Sequence, residues 1–415
     1  MRQSNQRRSA RDLAGFTLVE LMVALMAGAI AITSIYAISS VSARHFHEQQ
    51  RIARLQTSVR NAMSQLTRDI ARAGYLGTPN SRRERRCGAA PPQEVQALEY
   101  LFNEDTDSLP NAGENKVRAD VIRMTGNYLT DDRYIVRLDS SGGNLILQPE
   151  WQAFRRSFGV PGDGFSAEAF QEVFAAGRVM HVISPYGAHF FPTIQSSSGT
   201  NRTVRVNPPI PYSAACAGGG TSGEWSAAPL MRIQYSVADI STSANYGRNI
   251  RPPGARYPTS VASDFTGQFQ SSLVRQEVQW GPPMAASVSS FVGTVAGRAG
   301  RVERVVMEYL AAVEYEVVWD RQRTSGSAPT MWRPPATALQ QSEDQARSRP
   351  EQARSVLISL SGRIAEQDDR FRWVNRPLGA PLTRYRVNPR LPGAARVRTA
   401  STEVFLSNLA ARNLR

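Results

Sequence analysis

The residues able to do chemistry are few and scattered. The four histidines are His45, His47, His181 and His189. None stands in a His-Glu-x-x-His zinc pair, and His45 and His47, two apart, would face away from each other on a helix. Cys87 and Cys216 are the two cysteines, and neither has a Cys-x-x-Cys partner. Ala217-Gly218-Gly219-Gly220-Thr221 lacks the Gly-Lys-Ser/Thr that grips phosphate, and Gly293 to Gly300 carries glycines without dinucleotide spacing. No Gly-x-Ser-x-Gly elbow occurs. The expectation is therefore a protein that is not an enzyme and needs no cofactor. Glu104, Asp105 and Asp107 could offer oxygens to calcium, but their spacing is not that of an EF-hand loop; a solvated acidic loop is expected and no metal site is assigned. Arg82, Arg83, Arg85 and Arg86 could hold a phosphate of nucleic acid or lipid. The plainer expectation is a charged linker beside a helix end.

One acid stands apart from these, because of where it lies. Glu20 interrupts an apolar run near the start of the chain, and Leu21 to Ile32 carry no polar side chain. Arg2, Arg7, Arg8 and Arg11 precede the run against Asp12 alone. As a helix, Phe16 to Ser40 would be about 37 Å long, enough to cross a bilayer core of about 30 Å with some tilt. A secretory signal peptide has a shorter apolar region and no acid in it. A plain anchor explains the length but not the carboxylate, which costs roughly 2.5–3.5 kcal/mol in hydrocarbon unless it has a partner or reaches water.

The stretch Gly15-Phe16-Thr17-Leu18-Val19-Glu20 followed by an apolar helix resembles the type IV prepilin processing site. The resemblance covers Gly15 to about Ser40. It implies a leader of residues 1–15, cleavage between Gly15 and Phe16 by a prepilin peptidase, and N-methylation of Phe16. It also implies that Glu20 faces the N-terminal amine of a neighbouring subunit in a fibre. A buried carboxylate needs a cation, and a methylated amine remains one. Many major pilins place a proline in mid-helix. Here that region reads Ile35-Tyr36-Ala37-Ile38 and the first proline is Pro79, so a proline-dependent bend is not carried over.

The elements that must carry this handle follow in order. Ile52, Leu55, Val59, Met63, Leu66, Ile70 and Ala73 recur three and four apart between polar residues, an amphipathic helix with one apolar stripe. Gly74 stands where a helix C′ residue belongs, after Arg68 and Arg72 in the last turn. One helix from about Phe16 to Ala73 is expected, membrane-spanning over 16–40 and amphipathic over 41–74, its stripe sealing one face of a sheet. Gln65 to Gly77, and Arg396-Val397-Arg398 on to Arg412-Asn413, resemble the PilW family of minor pilins. A minor pilin is implied, with major and minor pilins as partners. A pseudopilin of a type II secretion system would carry the same handle, and a pilus-tip adhesin or DNA-binding subunit is the rival of another class.

Residues 75–415 form the expected head. Residues 78–118 read as irregular. Strands are expected at Asp120–Thr125, Tyr134–Leu138, Leu145–Leu147, Arg178–Ile183, Thr203–Val206, Met231–Val237, Val305–Trp319, Ser355–Ser361 and Glu403–Leu406. Val305–Trp319 could be two strands or part helix. Long Pro/Gly/Ser stretches separate them, at Gln195–Asn201, Ala214–Ser226, Ser241–Ser263, Gly281–Ser290 and Thr324–Pro335. The fold class expected is α+β, one long N-terminal helix packed on an antiparallel β-rich domain with long loops. The net charge is +14, carried by arginine with Lys116 the lone lysine, and favours anionic partners such as lipid heads, acidic polysaccharide or DNA. The leader arginines keep the N-terminus cytoplasmic, placing the chain in the inner membrane with its head in the periplasm. There a Cys87–Cys216 bridge is permitted, and it would close a long loop worth about 4–5 kcal/mol.

Overall fold

Side chains recurring three and four apart wind Leu18–Ala71 into one continuous helix, α1. The computed structural model describes residues 17–85, 87, 94–103, 105–214, 218, 223–239, 271–278, 280, 303–320, 331–377 and 380–410. The chain divides into two units, one ending at Arg54 and the other beginning at Leu55. In the first, the apolar side chains of α1 stand out from the helix on every side: Leu18 is 74% exposed, Leu25 66% and Ile30 69%. By length and composition this helix can cross a membrane. Three of its hydroxyls are satisfied by the helix's own carbonyls. Thr33 Oγ1 donates to the Ala29 carbonyl and Ser34 Oγ to that of Ile30, each at 2.8 Å, and Ser40 Oγ donates to Ala37 at 2.9 Å.

The second unit joins the rest of α1 to two antiparallel sheets. The larger contains β1 (Leu98–Leu101), β2 (Val121–Gly126), β3 (Tyr134–Leu138), β4 (Asn144–Leu147), β5 (Val179–Ile183), β6 (His189–Phe190), β7 (Thr193–Ser198), β8 (Thr203–Asn207), β9 (Trp225–Asp239), β10 (Ser271–Glu277) and β11 (Glu303–Glu308). The smaller holds β12 (Leu310–Asp320), β13 (Met331–Trp332), β14 (Ala353–Arg363), β15 (Asp368–Arg372), β16 (Arg384–Tyr385) and β17 (Gly393–Phe405).

The long strand β9 belongs to two structures at once. Its second half pairs with β2 and β10 and continues the sheet β1-β2-β9-β10-β11. Its first half pairs with β3 on one side and β5 on the other. From β3 the ladder runs through β4, β8 and β7 back to β5, which closes a six-stranded antiparallel barrel. The barrel has its own core. Helices Gln152–Phe158 and Ala167–Val173 bring Phe154, Phe158 and Phe170 against Tyr134, Phe174 and Trp225. Ring centroids 4.8–5.8 Å apart fit edge and tilted aromatic packing.

A separate, larger core draws on both sheets and on α1. Leu55, Val59, Met63, Leu66 and Ile70 meet Ile122 and Ile233 from one sheet and Val356, Ile358 and Leu360 from the other. Gly362 marks the tightest approach: a Cβ there would lie 2.1 Å from Met307 Cε and 2.8 Å from Leu55 Cδ1.

The architecture is the expected α+β one, with several local differences. α1 stops at Ala71, and Gly74, at φ +76°, lies beyond two tighter turns. Every expected strand is present, and Val305–Trp319 is indeed two strands. Residues 78–118, expected to be irregular, include β1, and the expected loop Gln195–Asn201 begins inside β7. The expected loop Thr324–Pro335 includes β13. β17 extends ten residues ahead of Glu403, the start expected for that strand. Ser241–Ser263 and Gly281–Ser290 lie outside the described residues.

Candidate assembly site

Glu20 sits in the first turn of α1, three residues after Thr17. The Glu20 carboxylate accepts hydrogen bonds from the Thr17 N–H at 3.0 Å and from Thr17 Oγ1 at 2.9 Å. In return the Glu20 N–H donates to Thr17 Oγ1 at 3.3 Å. This is a capping box: the N-cap threonine and the N3 glutamate satisfy each other's backbone donors. The Thr-x-x-Glu spacing is its signature in the sequence, one that the expectation of a fibre role for Glu20 does not use. In hydrocarbon the first amides of a helix have no water to turn to, so the cap has particular value there. Glu20 therefore has a local reason to exist, besides any partner. Gly15 and Phe16 lie outside the described residues.

In the second unit, the C-terminal part of α1 is fastened by polar bonds as well as by its stripe. Asp69 is the hub. Its carboxylate accepts from Tyr235 Oη at 2.7 Å and from Arg275 Nε at 2.6 Å, and its carbonyl accepts from Tyr128 Oη at 3.0 Å. Burial, and then the Asp69 charge, push the Tyr235 phenol well above its ordinary value, so it stays a donor. At the helix end Arg72 donates to the Asn127 carbonyl at 2.8 Å, the Gly74 N–H to Thr125 at 2.8 Å, and Asn408 to the Ala71 carbonyl at 2.9 Å. Gly126 must stay small, because a Cβ would lie 2.7 Å from the Arg72 carbonyl oxygen.

Charged groups are also buried inside the head. Glu99 pairs with both Arg123 and Arg232, and Arg123 donates to Gln234 at 2.7 and 3.0 Å. Burial first, then the nearby Arg232, pull Arg123 down to about 10. Asp120 accepts from the Asn103 and Tyr315 N–H groups, each at 2.9 Å, and pins the loop after β1 to β12. Burial lifts its carboxyl to about 6 against the pull of Arg118 and these two donors.

The remaining sequence candidates fare differently. His181 and His189, unpaired in sequence, come together: His181 Nε2 and His189 Nδ1 are 2.8 Å apart, and His181 Nδ1 reaches the Leu76 carbonyl at 2.9 Å. Glu84 lies 3.5 Å from His189. Among the described residues no group of three His, Cys, Asp or Glu side chains is placed to hold a metal ion. Asp105 is committed to the Val237 N–H at 2.7 Å, Asp107 is exposed, and Glu104 lies outside the described residues. At Arg82–Arg86, where a charged linker beside the helix end is expected, the described arginines have partners within the chain. Arg82 pairs with Glu94, Arg83 lies 2.9 Å from Glu351, and Arg85 donates to the Tyr186 carbonyl at 2.9 Å. The run is a turn tied to three other segments, and its Arg86 lies outside the described residues. Cys87 is buried against the barrel core and disulfide-bonded, while Cys216 lies outside the described residues.

Residues 11–36 match the prokaryotic N-terminal methylation motif. No curated protein and no solved structure matches the chain. The motif supports a type IV pilin-like or pseudopilin protein, which implies processing by prepilin peptidase and assembly with other pilins, and it points to a structural role. With the apolar helix it fits an inner-membrane anchor.

Proposed function

We propose that the chain is a minor pilin of the PilW type that primes or modifies assembly of a type IV pilus. In this reading prepilin peptidase cuts between Gly15 and Phe16, Phe16 is N-methylated, and residues 16–40 hold the chain in the inner membrane with the head in the periplasm. On assembly the same residues join the helix bundle of the fibre, and Glu20 neutralises the methylated amine of a neighbouring subunit. A Cys87–Cys216 bridge belongs to the same proposal: the periplasm keeps such bonds oxidised.

The observation that carries the reading is the methylation motif set on a helix whose apolar residues are exposed and whose Glu20 lies at its start. Mass spectrometry of the mature N-terminus tests it: N-methylphenylalanine from Phe16, lost in cells without the peptidase, is expected. A chain still beginning at Met1 removes the reading. The motif serves secretion pseudopilins equally. A deletion that leaves pili intact and stops protein secretion would move the chain to that class.

A further inference from the structure

The last strand, β17, is paired on one side and largely open on the other. Toward β14 an unbroken register runs from Arg363 opposite Val397 to Ser355 opposite Phe405. On the far side β16 pairs with Ala395 and Arg396, and the Val397 N–H donates to the Thr383 carbonyl at 3.1 Å. Beyond Val397 that side has no paired strand. The ladder fixes where its backbone groups point. The Leu406 N–H donates to the Arg354 carbonyl and the Ile364 N–H to that of Arg396. Arg398, Ala400, Thr402 and Val404 therefore direct N–H and C=O at β14, and Thr399, Ser401, Glu403 and Phe405 direct theirs away. The backbone groups of these last four have no hydrogen-bond partner among the described residues.

This edge lacks the usual protections. Exposed edges are commonly blunted by lysine, proline or a bulge. From Arg398 to Phe405 there is no lysine or proline, Arg398 and Glu403 are the charged residues, and the register has no bulge. The side chains beside the edge are drawn back across the sheet. Thr399 Oγ1 and Ser361 Oγ are 2.7 Å apart, Ser401 Oγ donates to Ser359 Oγ at 3.3 Å, and Glu403 accepts from Ser355 Oγ at 2.5 Å. About 20 Å of strand backbone is left bare, with the Phe405 ring 70% exposed at its end.

We propose that this edge pairs antiparallel with the same edge of a second copy of the chain, about a two-fold axis through Thr402. The inference does not rest on the pilin reading. The sequence is self-complementary in this register. Thr399 lies opposite the partner's Phe405 and Ser401 opposite the partner's Glu403, and the two-fold repeats each pair. All of the outward backbone groups from Thr399 to Phe405 are then bonded. An aromatic ring against a β-branched side chain and a carboxylate against a hydroxyl are favourable cross-strand pairs, and no like charges stand directly opposite. The neighbouring registers are worse. An axis through Ser401 sets Phe405 against Val397, whose N–H is already taken by Thr383. An axis through Glu403 sets two carboxylates face to face.

The test uses the full chain in a nonionic detergent. On the axis, Thr402 meets the partner's Thr402 in a pair without backbone bonds, with Cα atoms about 4.5 Å apart, within reach of a disulfide. Thr402→Cys should therefore give a covalent dimer on a non-reducing gel after mild oxidation. Thr399→Cys should not, because the two copies of that position lie about 20 Å apart. Sedimentation supplies the second readout. Ser401→Pro removes an outward N–H and spares those bonded to β14. It should turn the wild-type dimer into a monomer while the cooperative thermal transition is retained. Phe405→Ala leaves the backbone intact and should weaken association several-fold. A wild-type chain that stays monomeric at high concentration, equal cross-linking of the two cysteine variants, or a folded Ser401→Pro chain that dimerises like wild type would each overturn the proposal. Should Ser401→Pro fail to fold, the two cysteine variants still decide.

Discussion

The two parts of α1 are built alike and used differently. From Leu18 to Phe46 its apolar side chains are exposed; from Leu55 to Ile70 an apolar stripe is buried, Leu66 completely. Composition explains the difference. The first part is apolar around its whole circumference, and no single sheet could cover it. The second keeps one stripe and surrounds it with arginine, glutamine and asparagine, so one face is sealed and the rest stays wet. A helix apolar all round is a segment for lipid or for the bundled helices of other chains, and a striped one is part of a domain.

Substitutions of one chemical kind in the two parts should therefore have opposite consequences. Leu66→Asp buries an unpaired charge in the shared core and should cost the head at least about 4 kcal/mol, seen as loss of the cooperative thermal transition. Met26→Asp should leave that transition within about 0.5 kcal/mol of wild type and act on membrane insertion instead, at roughly 3 kcal/mol. An equal effect of the two on the head would break the comparison.

The polar fastenings of the second part should matter next. Asp69→Ala strands Arg275 and removes the acceptor of Tyr235. Its expected cost is about 2–3 kcal/mol by denaturant unfolding, with the salt dependence expected of a half-buried pair. A change below about 0.5 kcal/mol would show that the stripe alone holds the helix.

A smaller effect should follow pH. Burial raises the Asp120 carboxyl to about 6 in the folded chain, against about 3.9 unfolded. Between those values the folded state holds the extra proton, so this group's contribution is fully present below about pH 4 and is lost as pH rises through about 6. Wild type compared with Asp120→Asn should therefore be about 2 kcal/mol more stable, in relative terms, at pH 4 than at pH 7. A pH-independent difference would mean that Asp120 titrates normally.

Much of this was legible in the chain itself. The period of the stripe gave α1, and β-branched runs placed β3, β5 and β8 within a residue or two. The barrel was hidden for physical reasons. Its closing strand starts Trp225-Ser226-Ala227-Ala228-Pro229, and small residues with an internal proline argue against a central strand. Its plug was signalled by phenylalanines four apart, Phe154 with Phe158 and Phe170 with Phe174. β17 was underread because outward arginines and threonines interrupt its apolar face. At the assembly site the sequence pointed to Glu20, and the Thr17 spacing carried the cap as well.

Glu20 decides between a helix cap and a fibre contact, and filament incorporation of Glu20→Gln measured beside wild type and Glu20→Ala tests this most directly. Glutamine keeps an N3 acceptor for Thr17 but has no charge for a neighbour's amine. The fibre account predicts that Glu20→Gln inserts in the membrane normally and is excluded from filaments like Glu20→Ala. Incorporation of Glu20→Gln at the wild-type level would contradict it and leave Glu20 as a cap alone.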